Sequence, residues 1–221
     1  DRHDGHNFIE PLYEKGVRAF VVSADYSASE KLDDAFFIRV ENPLSALQTV
    51  AASKRAQFSY PLIGITGSNG KTIVKEWLYQ LLDSTYNIIR SPKSYNSQVG
   101  VPLSVWRMKS ENDLAIIEAG ISMPGEMIKL ERIVRPSIGI FTNLGQAHDE
   151  NFSDANQKAR EKLDLFQNVD TLIYCKDYLV IQEELNHYPF ESSPKLFAWS
   201  RKTGADLQIG RTEKRDGQTE I

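Results

Sequence analysis

The sequence is poor in cysteine and lacks any long apolar run. Cys175 is the only cysteine in 221 residues, so no disulfide can form within the chain, which favours a reducing compartment such as the cytoplasm. No apolar segment approaches the roughly 20 residues that a membrane-spanning helix needs, so membrane insertion is not expected. Acidic residues outnumber basic ones and the net charge is -4, which argues against a nucleic-acid-binding surface.

Both ends of the chain suggest that it is part of a longer protein. The first residue is Asp1 rather than Met, and residues 1–8 contain no apolar stretch of the kind found in a signal peptide. The chain stops at Ile221 in a polar context without a turn or capping signal. We therefore expect a piece of a longer protein.

The pattern of apolar residues predicts an α/β fold. Strands are predicted at 17–23, 35–40, 61–66, 86–90, 113–119, 137–143 and 170–175, with two further possible strands in the tail. Helices are predicted at 7–15, 43–60, 71–82, 125–134 and 155–166. Alternating helices and near-continuously apolar strands are typical of a mostly parallel, doubly wound sheet covered on both faces.

The pattern changes along the chain and divides it into three parts. Residues 1–42 are predicted to be the end of an N-terminal α/β domain. A connecting helix follows over 43–60, with Asn42 as its N-cap and Pro43 in its first turn. Residues 61–221 are predicted to form a second α/β domain.

A glycine-rich segment between a strand and a helix predicts a phosphate-binding loop. The segment reads "TGSNGKT" from Thr66 to Thr72, and an amphipathic helix follows it. The predicted nucleotide-binding residues are Thr66, Gly67, Ser68, Asn69, Gly70, Lys71 and Thr72. Backbone amides and the helix N-terminus attract phosphate, Lys71 would reach the terminal phosphates, and the Thr72 hydroxyl would ligate magnesium. An ordinary turn can share the Gly-Ser-Asn-Gly composition, but it does not require the Lys-Thr pair or the flanking strand and helix.

Further polar residues follow the predicted strands at the same edge. Ligands of such sheets bind beyond the carboxyl ends of the strands. Glu118 ends an apolar strand and offers the hard oxygen that magnesium prefers, although a strand-end carboxylate can also be a solvated loop residue. Asn143 ends the next such strand, and His148 and Glu150 lie in the loop that follows.

Lys162 occupies an unusual position on its predicted helix. It falls on an apolar stripe formed by Ala155, Ala159, Leu163 and Phe166. A lysine on such a stripe either extends its ammonium group to solvent or is buried with a lowered pKa. The sequence pattern leaves both alternatives open, but an inward orientation would direct Lys162 towards the nucleotide.

Several of these segments together resemble the Mur ligase family. The usual phosphate-loop pattern has an earlier glycine at the position of Ile65, and its absence in "TGSNGKT" is similar to the Mur variant. The segments "NSQVGVPLSVW", "IIEAGISMPGEM" and "IGIFTNLGQAHDENF" also resemble family segments. Residues 4–23 are similar to the latter part of the family's UDP-recognising N-terminal domain. The resemblance implies that residues 1–42 are the end of that domain and that 61–221 are an ATP-binding domain truncated at its C-terminal end. The resemblance covers most of residues 1–175, and some segments look like a bacteroidete branch in which a racemase domain can follow.

The resemblance implies an ATP-dependent ligase of peptidoglycan precursors. It implies ATP and Mg²⁺ as cofactors, Lys71, His148 and Lys162 as catalytic residues, and Thr72, Glu118, His148 and a carbamylated Lys162 around the metal. Asn143 would contact the nucleotide, and Asn96 and Glu150 would face the substrate. The implied substrates are a UDP-muramoyl tripeptide and D-alanyl-D-alanine, and a missing C-terminal domain would act in cis. Two alternatives are a sibling ligase, such as a folylpolyglutamate or other muropeptide enzyme, and a nucleotide-binding module without ligase chemistry.

Overall fold

The chain folds into two compact units, residues 1–49 and 50–221. A computed structural model describes residues 4–27, 31–146, 149–202 and 204–210, together with the backbone of 213–215 and 218–220. None of the helices in these stretches has the length and apolar character needed to cross a membrane.

The first unit has a small core beneath two parallel strands. Helix α1 spans Ile9–Glu14, and strands β1 and β2 span Ala19–Ser23 and Phe36–Val40. The buried residues are Ile9, Phe20, Val22 and Leu32. Helix α2, Pro43–Arg55, contains the boundary between the two units. It begins as predicted, because the Asn42 side chain accepts a hydrogen bond of 2.9 Å from the Ser45 N–H, but it ends at Arg55 and not at residue 60.

The second unit is built on a parallel sheet of seven strands within the described residues. In chain order its strands are β3 Leu62–Thr66, β4 Ile88–Arg90, β5 Leu114–Glu118, β6 Ile138–Phe141, β7 Thr171–Cys175, β8 Lys195–Ser200 and β9 Leu207–Gln208. Their order across the sheet is β4-β5-β3-β6-β7-β8-β9, and each neighbouring pair is parallel. A separate antiparallel hairpin pairs β10 Glu213–Arg215 with β11 Gln218–Glu220.

Helices cover both faces of this sheet. They are α3 Lys71–Leu82, α4 Gly100–Trp106, α5 Met127–Val134, α6 Ala155–Leu163 and α7 Leu179–His187. On one face, Ile63 and Ile65 of β3 pack in a cluster with residues of α3. On the other face, Leu62 belongs to a larger cluster that includes residues of α4, α5 and α6. The arrangement confirms the predicted α/β class with a mostly parallel, doubly wound sheet.

The sequence pattern predicts one apolar face on α3 that contains Ile73, Val74, Trp77, Leu78, Leu81 and Leu82, and this prediction is wrong for half of them. Val74, Leu78 and Leu82 pack against the sheet, whereas Ile73, Trp77 and Leu81 are exposed. Successive residues of a helix point about 100° apart around its axis. Each exposed residue therefore points away from the sheet although the next residue in the sequence packs against it. The sheet contacts a narrower stripe than the sequence pattern predicted.

Candidate functional site

The loop between β3 and α3 has a backbone that requires glycine. Residues 67–70 form this phosphate loop, in which Gly67 has φ +144° and Gly70 has φ +79°. A Cβ atom on Gly67 would lie 2.0 Å from Thr142 Oγ1, which is far inside contact distance. Positive φ and this close approach both exclude a larger residue at position 67.

Asn143, two residues after the end of β6, holds the phosphate loop by hydrogen bonds. The Ser68 N–H donates to the Asn143 carbonyl at 2.9 Å, and the Asn69 N–H donates to Asn143 Oδ1 at 3.0 Å. The Asn143 amide in turn donates to the Asn69 carbonyl at 3.1 Å. Two of the four loop amides that were expected to surround a phosphate are thus engaged by Asn143. The first-turn amides of α3 are further donors for a phosphate, because the helix itself has no acceptors for them.

Lys71 lies over the phosphate loop at the start of α3. Its Nζ donates to the carbonyl of Gly67 at 2.8 Å and to that of Ser68 at 3.4 Å. Burial lowers the pKa of Lys71, while the nearby Glu118 carboxylate opposes that shift. The ammonium group is therefore held at the place where a phosphate on the loop would meet it.

Thr72, Glu118 and Asn96 are joined by hydrogen bonds beside this loop. Thr72 Oγ1 donates to Glu118 Oε2 at 2.9 Å, and Asn96 Nδ2 donates to Glu118 Oε1 at 2.8 Å. Glu118 is fully buried at the end of β5. A hydroxyl and a carboxylate oxygen this close to a phosphate loop form the hard-oxygen donor set that Mg²⁺ prefers. These residues fit a magnesium ion.

Lys162 is buried and does not extend to solvent. Only 3% of the residue is exposed, and burial, followed by the charges of Lys71 and Lys158, lowers its pKa from 10.5 to about 7. Of the stripe on which the prediction was based, Ala159, Leu163 and Phe166 are buried, but Ala155 is exposed. The inward orientation therefore holds, although Ala155 does not contribute to it.

A cavity of about 320 Å³ brings several of these residues together. Its walls include Gly67, Ser68, Lys71, Asn96 and Lys162. Cavities of this size hold small ligands. The cavity therefore joins the phosphate loop to the segment that carries Asn96 and to the inward face of α6.

Three other predicted site residues, His148, Glu150 and Thr66, do not line this cavity or are not among the residues that the structure describes. His148 falls outside the described residues, so its expected approach to Glu118 stays a prediction. Glu150 is exposed in a short 3₁₀ helix, Asp149–Asn151. Thr66 is buried, and its hydroxyl donates to the Ala119 carbonyl at 2.9 Å, which links β3 to the end of β5. Within the described part of the chain, no three His, Cys, Asp or Glu side chains gather in a metal-binding cluster.

Two buried lysines beside the site were not anticipated. Lys75 Nζ lies 3.5 Å from Glu118 Oε2. Lys158 Nζ donates to the Gly145 carbonyl at 2.6 Å and to Asp149 Oδ1 at 2.5 Å. Each lies four residues from a predicted site lysine on the same helix, Lys71 and Lys162 respectively. This i, i+4 spacing is the only signal that could have identified them.

The chain is similar to known proteins of one family. Residues 65–221 match the Mur ligase middle domain family. A UDP-N-acetylmuramoyl-tripeptide–D-alanyl-D-alanine ligase of Bacillus subtilis (strain 168) is 32% identical over 185 residues, which cover 82% of this chain and 40% of that protein. The ligase of the same name from Borreliella burgdorferi is 33% identical over 189 residues, covering 82% of this chain and 41% of that protein.

A solved structure has the same architecture. The crystal structure of MurF ligase from Thermotoga maritima in complex with ADP superposes with a TM-score of 0.82 and 26% identity, over 99% of this chain and 49% of that one. The chain thus spans less than half the length of these relatives. The match to the middle-domain family, over residues 65–221, covers more than half of the chain, and on that evidence the chain belongs to the Mur ligase family.

Proposed function

We propose that the full-length protein joins D-alanyl-D-alanine to a UDP-N-acetylmuramoyl-tripeptide at the expense of ATP. The observation that carries this proposal is the hydrogen-bonded set of Thr72, Glu118 and Asn96 beside the phosphate loop, on a cavity that Lys162 also lines. The names of the curated relatives support the choice of substrates. The ADP bound to the Thermotoga maritima protein supports nucleotide binding by the same fold.

The proposed reaction activates a carboxylate. The terminal carboxylate of the tripeptide attacks the γ-phosphorus of ATP, which forms an acyl phosphate and releases ADP. The amine of D-alanyl-D-alanine then attacks the acyl carbon, loses a proton, and expels phosphate. Such chemistry depends on positioning and on stabilising negative charge rather than on a protein nucleophile.

Residues at the phosphate loop would hold the nucleotide. Lys71 would move from the carbonyls of Gly67 and Ser68 to the phosphates, while the first-turn amides of α3 bind their oxygens. Magnesium, when bound, would neutralise phosphate charge. Thr72 and Glu118 are its proposed ligands in the described chain, with His148 as a further candidate.

Lys162 is proposed to act as a carbamate. Carbon dioxide reacts with neutral amines, and a pKa of about 7 leaves roughly half of the Lys162 side chains neutral at pH 7. The carbamate would replace a cation near Lys71 and Lys158 with an anion, so burial beside those lysines would become favourable. NMR of protein treated with ¹³C-bicarbonate should show one carbamate signal that is lost in Lys162→Arg. A signal that persists in Lys162→Arg would refute the assignment.

The remaining assignments concern the substrates and the rest of the protein. Asn96 lines the cavity and is proposed to contact the muropeptide, and Glu150 is proposed to do so from the loop after β6. Residues 1–42 are proposed to be the end of the UDP-recognising domain, 43–60 a connector, and 61–221 the ATP-binding domain. A C-terminal domain in cis would bring the incoming amine, in a protein that acts in the cytoplasm.

The test is a substrate panel with the full-length protein. ATP, magnesium, UDP-muramoyl tripeptide and D-alanyl-D-alanine should yield the ligated product and ADP, with product formation dependent on both substrates. Hydroxylamine should trap the acyl phosphate when the amine is omitted. Ligation of another muropeptide or of a folate would assign a sibling ligase instead. Nucleotide binding without a trapped acyl phosphate would indicate a module that lacks ligase chemistry.

A further inference from the structure

Lys75 is a fully buried lysine that the proposed reaction does not use. It lies one turn after Lys71 on α3, and none of its surface is exposed. Burying an ammonium group is costly unless acceptors surround it, so its partners define its role. Its neighbour on α3 is one partner, since Glu76 Oε1 lies 3.2 Å from Lys75 Nζ. The other partners belong to two different elements, the segment after β4 and the end of β5.

The first partners are backbone carbonyls after β4. Lys75 Nζ donates to the Ser91 carbonyl at 2.8 Å and also to the Lys93 carbonyl. Lys93 has φ +49°, in the left-handed region that non-glycine residues rarely adopt. Such a conformation persists when surrounding contacts hold it. Lys75 supplies one of these contacts from inside the domain.

The second partner is Glu118. Its Oε2 lies 3.5 Å from Lys75 Nζ, and its backbone N–H donates to Ser91 Oγ at 3.2 Å. Asn96, at the far end of the same segment, donates to the other carboxylate oxygen at 2.8 Å. Residues 91–96, here called the Asn96 loop, are therefore attached to Glu118 at both ends and to Lys75 at their start.

An ion pair alone does not account for this arrangement. It would explain the approach of Lys75 to Glu118, but not the donation to two carbonyls of the loop that carries Asn96. We propose that Lys75 is a positioning residue that fixes the Asn96 loop against Glu118, so that Asn96 faces the cavity while Glu118 faces Thr72. Its role in turnover rests on the function proposed above, whereas its role in ordering the loop does not.

Hydrogen exchange of the loop tests the ordering role directly. The Ser91 N–H donates to the Ile116 carbonyl and the Tyr95 N–H to that of Pro92, so loop opening would expose both amides. In Lys75→Met, a peptide covering 91–99 should exchange at least tenfold faster than in the parent. A peptide from α5, 127–134, should be unchanged, as should both peptides in the control Lys109→Met, whose lysine is exposed.

A second pair of variants keeps the test decisive if Lys75→Met does not fold. Glu118→Gln removes the carboxylate but leaves Lys75 on its carbonyls, so the loop should stay protected. Adding Lys75→Met to Glu118→Gln leaves no buried charge unpaired, and the loop should then exchange rapidly. Equal protection of the loop in the single and double variants would overturn the proposal.

Kinetics of the full-length protein separate positioning from stability. For Lys75→Met, we expect the KM for the muropeptide to rise at least tenfold. The affinity for ADP, measured without magnesium as a control for an intact phosphate loop, should stay within threefold of the parent. A lower Tm with unchanged KM and unchanged loop exchange would assign a purely structural role. If the parent protein forms no acyl phosphate, the proposed function fails, and the exchange experiment still decides whether Lys75 orders the loop.

Discussion

The Thr72 hydroxyl donates a hydrogen bond of 2.9 Å to the buried Glu118 carboxylate, joining the start of α3 to the end of β5. The two residues that supply these oxygens are 46 positions apart in the sequence. Because both are hard donors next to the phosphate loop, one ion could contact both. This pair gives the most direct test of the metal site.

Replacing Thr72 by Val should weaken the use of magnesium. The variant keeps a β-branched side chain but loses the oxygen, so the magnesium concentration for half-maximal activity should rise at least about tenfold. Thr72→Ser retains the hydroxyl and should stay within about threefold of the parent. A magnesium titration of ATP turnover measures both, and equal behaviour of the two variants would rule out Thr72 as a ligand.

Lys71→Ala should reduce ATP turnover by roughly 100-fold or more. The ammonium group is held over the phosphate loop, and charge contacts of this kind stabilise a transferring phosphoryl group by several kcal/mol. Lys109→Ala removes an exposed lysine and should have no such effect. Turnover of Lys71→Ala within a factor of two of the parent would show that the loop does not bind the reacting phosphates.

The buried Lys162 should make stability depend on pH. Its pKa is about 7 in the folded chain against 10.5 normally, so the unfolded chain binds more protons between these values. The free energy of unfolding therefore rises with pH in this window. Below about pH 7 the folded chain bears the full free-energy cost of burying the charged Lys162 side chain. Lys162→Met should exceed the unmodified parent in stability at pH 6, with a smaller difference at pH 9. Urea unfolding in bicarbonate-free buffer measures this, and a difference that grows with pH would contradict it.

Gly67→Ala should destabilise the domain by about 3 kcal/mol. The added methyl group would meet Thr142 Oγ1 at 2.0 Å on a backbone with φ +144°, and strain and overpacking each cost about 1–3 kcal/mol. At Gly204 a Cβ atom would meet nothing within 4 Å, so Gly204→Ala is the matched control. Thermal unfolding of both variants tests the expectation, which fails if they unfold at the same temperature.

The strand, loop and helix around residues 67–70 were predicted well because their signals are local. The predicted bounds 71–82 are those of α3, and the Lys-Thr pair follows the loop directly. Helix α4 was not predicted, since "GVPLSVW" contains both Gly and Pro and resembles a turn. A Cβ atom on Gly100 would lie 2.8 Å from the Tyr95 carbonyl carbon, so glycine lets the preceding turn approach the start of this helix closely.

The sequence predicted the burial of Lys162 better than that of Lys75. Lys162 lies on an apolar stripe, which its helix displays in the sequence. Lys75 lies between the exposed Ile73 and Trp77 on α3, and its acceptors are backbone carbonyls of a distant loop. Carbonyl positions leave no trace in residue types, so the i, i+4 relation to Lys71 could mark Lys75 as a neighbour of the site but could not reveal its burial.

The central place of β3 in the sheet has a consequence for synthesis on the ribosome. Its two neighbours are β5 and β6, both made later, and β5 begins about 50 residues after β3 ends. At synthesis rates of about 5–20 residues per second, the apolar strand "LIGIT" waits roughly 2 to 10 seconds for its first partner. During that interval both of its edges are open to pairing with other chains. A nascent chain stalled before Glu118 should therefore depend on chaperones more strongly than one stalled after Phe141.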